Sequence, residues 1–94
     1  MSDSLATALC GALAAEIRDV RALIDALAEV LAADEYLAVK YTEQMQAFDL
    51  LAQRTQESAD LLDRIATGMR GHDAVEHVRL ELMQARLRDV LKAA

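Results

Sequence analysis

Asp49 and Gln53 are the residues of this chain whose types and spacing could do chemistry. They stand in the stretch "QAFDLLAQ", residues 46–53. In a helix, positions i and i+4 are neighbours, so a carboxylate and a carboxamide four residues apart can reach one target. The carboxylate offers charge, and the amide offers both a donor and an acceptor without titrating. With nine aspartates and five glutamines in 94 residues, such a pair arises by chance roughly half a time. The spacing therefore counts only if the surrounding elements place the pair well.

Those elements are helical. Leucine and alanine, the strongest helix formers, dominate the apolar residues. Proline is absent and only Gly11, Gly68 and Gly71 interrupt the chain. No run alternates β-branched and aromatic residues with polar ones, so no strand is expected. The fold class is all-α, in one small domain.

Ser4 is the expected N-cap of a first helix over about residues 4–32. Leu13, Ile17, Val20, Ile24, Leu27 and Leu31 follow at alternating steps of four and three, a heptad seam for a partner helix. Around residues 32–35 two readings stand. Asp34 caps a second helix over about 35–67, giving an antiparallel hairpin, or one helix runs on from about 4 to 67 over roughly 95 Å. The hairpin is preferred, because the continuous helix would put Asp34 at a core position.

The second helix carries its seam at Met45, Phe48, Ala52, Thr55, Ala59, Leu62, Ala66 and Met69. Ala52, Thr55 and Ala59 are small and admit a close neighbour. On the wheel, Asp49 and Gln53 point away from this seam, on an outward stripe shared with Thr42, Gln46, Gln56 and Asp60. A glycine break at 68–72 ends the helix. Asp73 and Glu76 then read as a capping box for a third helix, about 73–93. That helix is apolar on two sides, with Leu80, Met83, Leu87 and Leu91 on one and Val75, Val78, Leu82 and Ala85 on the other. Two apolar sides call for two neighbours. In so small a chain this points to a homodimer in which two hairpins form a four-helix bundle.

Charge narrows the partners. The net charge is −6, distributed as −5 over residues 1–35, −2 over 36–66 and +1 over 67–94. Nucleic acid and anionic membrane surfaces need a basic face and are not expected partners. The apolar run from Leu5 to Ala15 is too short to span a bilayer, which takes roughly 20 residues. "MSDS" is not the basic start of a signal peptide. The expected location is cytoplasmic. The single Cys10, between "TAL" and "GAL", reads as a buried helix thiol. His72 and His77 have no cysteine partners, so no metal site is expected.

"QAFDLLAQRTQESADLLDRI" resembles the active-site helix of the CheZ-type chemotaxis phosphatases and of the short CheZ-like proteins called CheT. Their motif is Asp-x-x-x-Gln on a long hairpin helix, often preceded by glutamine. Gln46, Asp49, Ala52 and Gln53 occupy its positions, while Leu51 and Ala52 stand where the family usually has threonine or serine and then glycine. The resemblance covers about twenty residues of the chain and the hairpin more loosely. It implies two-component signalling and a homodimeric four-helix bundle acting on a phosphorylated CheY-type receiver domain. It implies that Gln53 positions the attacking water and that Asp49 pairs with the receiver's lysine, with Gln46, Gln56 and Asp60 as partner-binding neighbours. No cofactor is then needed on this chain, because the receiver supplies Mg²⁺.

Two other readings fit less of the sequence or less specifically. A histidine phosphotransfer domain wants lysine and glycine after its histidine, whereas His77 is followed by "VRLEL". A non-catalytic dimeric adaptor would explain the heptads and the two-sided third helix without the Asp49/Gln53 pair.

Overall fold

The structure is a computed structural model and describes residues 2–94. Five helices follow in order: α1 (Ser2–Ala32), α2 (Glu35–Lys40), α3 (Thr42–Ala66), α4 (Gly71–Glu76) and α5 (Glu81–Ala93). Residues 2–94 contain no strand. None of these helices is long and apolar enough to cross a membrane.

The chain turns at residues 33–34 and α1 packs against α3, so the continuous-helix reading falls. The turn is made by a cap, with neither glycine nor proline. Asp34 is extended (φ −99°, ψ 112°) and its carboxylate accepts the Leu37 N–H at 3.1 Å. That bond satisfies one of the orphan donors at the start of α2 and makes the reversal favourable. A smaller break follows at Tyr41 (φ −112°, ψ 36°), which ends α2 and starts α3.

Close packing comes from small side chains. Ala14 of α1 and Ala59 of α3 are fully buried and Ala52 nearly so. With only a methyl group at these points the two backbones approach closely. A polar ladder runs beside them. Arg18 reaches Asp60 at 3.0 Å and Asp63 at 2.6 Å. Arg21 donates to Gln56, and Gln56 donates to Asp60 at 2.7 Å. Pairing of 18 with 60–63 and of 21 with 56 makes the hairpin antiparallel. Such half-exposed ion pairs contribute little each, about 0–1 kcal/mol. Their larger role is to set the register.

α3 ends as its glycine demands. Gly68 adopts φ +99°, a left-handed conformation that suits a residue without Cβ. Its N–H donates to Ile65 O at 3.0 Å and the Met69 N–H to Arg64 O at 2.9 Å, a Schellman closure.

Beyond this break the expected single helix over 73–93 is two helices. α4 starts at Gly71, with no side-chain cap, so Asp73 lies inside the first turn. The chain leaves the helix at 77–80, where Val78 is buried and Arg79 is held by Glu57. The Gln84 amide closes the break by donating to Val75 O (3.2 Å), which also accepts the Val78 N–H (3.0 Å), and to Glu76 O (3.0 Å) where α4 ends. Glu76, expected to close a capping box, instead pairs with Arg88 at 2.6 Å. At the other terminus α1 already includes Ser2, so Ser4 lies within the helix and does not cap it.

The apolar residues are poorly covered. The buried hydrophobic set is Ala14, Ala52, Ala59, Ala74, Val75 and Val78, with no large side chain fully enclosed among the described residues. Of the α1 seam, Ile17, Ile24 and Leu31 are half-buried against the hairpin, while Leu13, Val20 and Leu27 are exposed. One line of the seam, Leu13, Val20 and Leu27, is thus turned away from α3, which meets α1 along Ala14, Ile17, Arg18, Arg21 and Ile24. The molecule is a slab of 53 × 25 × 17 Å.

Candidate functional site

Around the axis of α3, successive residues advance by 100°. α1 covers the side of Ala52, Ala59 and Asp63. The 77–80 segment covers the side of Glu57. Asp49 and Gln53 fall between these two directions, so their stripe lines the valley between α1 and the segment before α5.

Gln53 sits in that valley. It is exposed and lines a cleft of about 370 Å³ with Arg21, Gln56, Glu57, Arg79 and Leu80. Among the described residues its carboxamide makes no side-chain hydrogen bond. Asp49, one turn earlier, is exposed and in no ion pair among the described residues. Gln46 is exposed in the same stripe. Gln56 and Asp60, expected to face outward with them, are half-buried and bonded to α1 through Arg21 and Arg18. Toward its C-terminal end, away from the turn at 33–34, the stripe passes under α1, because the long Arg18 and Arg21 side chains reach across.

The cleft has a fixed wall that periodicity did not single out. Glu57 is 4% exposed, a buried carboxylate. Its Oε1 accepts the Arg79 backbone N–H at 2.8 Å, and its Oε2 accepts from Arg79 Nε at 3.3 Å and Nη2 at 3.2 Å. Three donors on one carboxylate tie the α4–α5 connection to α3. They also set Leu80 beside Gln53. The available signal was position: Glu57 lies four residues after Gln53, on the same side of the helix.

Electrostatically the cleft is mixed. Arg21 and Arg79 bring positive charge to the edges, and Glu57 cancels part of it. Away from the hairpin turn, Asp63 and then Asp60 raise the pKa of Arg18 above its ordinary value, keeping the cation fixed between them. Cys10 is half-buried, and both histidines are exposed. His77 Nδ1 lies 2.8 Å from Asp73 O, a helix-end contact.

No protein-family model, curated protein or solved structure matches this chain.

Proposed function

We propose that this chain is a CheZ-like phosphatase that speeds loss of the phosphoryl group from a phosphoaspartate on a CheY-type receiver. The observation that carries the reading is the free Gln53 carboxamide in an open cleft, one helical turn from a free Asp49. Both groups are available to a partner, whereas Gln56 and Asp60 on the same stripe are occupied by α1.

The chemistry asked of the chain is small. The receiver's own Mg²⁺ and lysine activate the acyl phosphate. A water oxygen attacks phosphorus, the bond from phosphorus to the aspartyl oxygen breaks, and its electron pair returns to the carboxylate. Inorganic phosphate leaves and the water's protons pass to phosphate and solvent. Gln53 accepts from and donates to that water, holding it in line, and Asp49 pairs with the receiver's lysine to set the docking register. Phosphoryl transfer rests mainly on such positioning.

The working unit in this proposal is a homodimer. A folded monomer of 10.3 kDa exposes about 5,400 Å² by the usual size scaling. This chain exposes 6824 Å². An excess of roughly 1,400 Å² per copy, hidden twice, falls in the range of obligate homodimers, about 2,000–5,000 Å² in total. The face to be covered is the unused α1 seam, Leu13, Val20 and Leu27, with Leu51 of α3 across the groove. The same exposed face favours a second reading, a dimeric adaptor without catalysis.

The test is the decay of a phosphorylated CheY-type receiver with Mg²⁺, alone and with the chain as wild type and as Gln53→Ala. Acceleration by wild type only supports the phosphatase. Equal acceleration by Gln53→Ala removes the role given to Gln53. No acceleration of a receiver that binds leaves the adaptor.

A further inference from the structure

On the far side of Arg79 and Leu80 from Gln53 lies a second groove, of about 360 Å³, between α3 and the start of α5. Its two walls carry the same pattern. Leu50 and Arg54 stand one turn apart on α3, and Leu82 and Arg86 one turn apart on α5. Met83 also lines it. Leu82 is 87% exposed, the most exposed large apolar side chain among the described residues, and Leu50 is 52% exposed. Arg54 and Arg86 make no ion pair among the described residues. Arg79 adds a third guanidinium, held by Glu57 with its side chain 78% exposed. Glu81 is the one acid on the lining.

We propose that this groove docks an acidic amphipathic helix of a partner protein, apolar side chains between Leu50 and Leu82 and carboxylates on Arg54 and Arg86. Charge selects the occupant. On a chain of net charge −6, two uncommitted arginines beside exposed leucines form a local cationic and apolar surface, complementary to the reverse pattern. A nucleic acid would meet apolar walls and the repulsion of the whole chain. Both walls are helices with their backbone groups already bonded, so an extended peptide finds no strand edge to join. Recognition is by side chains in a groove, which suits a helix. Because Arg79 and Leu80 line both cavities, a docked helix lies next to Gln53. The proposal does not depend on the phosphatase reading.

The probe is a fluorescent synthetic helix with leucines along one stripe and glutamates flanking them, beside a twin with lysine for every glutamate. Polarisation against the full chain is expected to show at least about tenfold tighter binding of the glutamate peptide, weakening with salt. In Arg54→Glu/Arg86→Glu the preference should invert toward the lysine peptide. Leu82→Asp should weaken both peptides while circular dichroism stays helical. Equal affinity of the two peptides, or an unchanged preference in the double variant, overturns the proposal. So does a drop in the molar mass of Arg86→Glu, a residue of this groove alone, which would assign the groove to a second copy of this chain. Receiver dephosphorylation is not read, so this result stands apart from that of the phosphatase test.

Discussion

The two halves of α3 are made of similar residues and are packed differently. Where α3 runs from Glu57 to Ala66 it has α1 on one side and α4 on another, and it holds a buried alanine, a buried carboxylate and paired charges. From Thr42 to Leu51 most side chains are exposed, Leu50 and Leu51 included. Exposed leucines run along all of α1, Leu5, Leu9 and Leu13 as well as Leu23 and Leu27, so the contrast belongs to α3. The difference teaches where stability and function are divided. The closed half of α3 supports itself through backbone proximity and satisfied polar groups. The open half of α3 keeps free amides, carboxylates and leucines, which serve only if something else binds them.

Five changes would break or sharpen this contrast. The largest effect is expected from Val20→Asp/Leu27→Asp on the unused seam. If a second copy covers it, the double change should abolish association and lower the melting temperature steeply, as seen by light scattering with thermal circular dichroism. An unchanged molar mass would make the open half open in solution too. Next is Ala59→Leu at the fully buried contact. Forcing a larger side chain between α1 and α3 should cost about 1–3 kcal/mol in urea unfolding. The same substitution at exposed Ala47 should be nearly neutral. If both cost the same, the division into halves is wrong.

A smaller loss, about 1 kcal/mol, is expected for Glu57→Ala, which removes the acceptor of the part-buried Arg79 N–H. Hydrogen exchange should place the loosening in the 77–80 segment rather than in α1. Smaller still is an acid effect at the α4–α5 contact. Hydrogen bonds from Arg88 hold the Glu76 pKa below its ordinary 4.5. A lowered folded-state pKa means that the pairing supports the fold above the unfolded value and is lost as pH falls through the folded one. Protection of the α5 amides, taken relative to their intrinsic exchange rate at each pH, should therefore fall on acidification below about 4.5, and Glu76→Gln should flatten the response. Least affected should be Gln53→Ala, within about 0.5 kcal/mol, even where it removes activity.

Much of this was legible along the chain. Helical class followed from leucine, alanine and the absence of strand patterns. The hairpin followed from the cost of Asp34 at a core position, and the stop after α3 from Gly68. The stripe of Asp49 and Gln53 followed from helical angle alone. What was not legible was which neighbours would reach that stripe. Gln56 and Asp60 share its angle, yet Arg18 and Arg21 extend from α1 and engage them. The break at 77–80 was hidden because Val75, Val78 and Leu82 continue a helical period. A period reports which residues are apolar, not whether the segment between them stays helical when a buried carboxylate captures a backbone N–H.

The sequence by itself determined the helical class, the breaks at Asp34 and Gly68 but not those at Tyr41 and 77–80, and the angular placement of a carboxylate and an amide on α3. These are short-range matters of backbone propensity, capping and 100° steps. Only the tertiary structure decided that the Leu13, Val20 and Leu27 line of the α1 seam turns away from α3, that Glu57 anchors Arg79, and that two Leu-x-x-x-Arg stripes face one groove. Each of those depends on which side chains are long enough to meet across an interhelical gap. Local periodicity does not encode that distance.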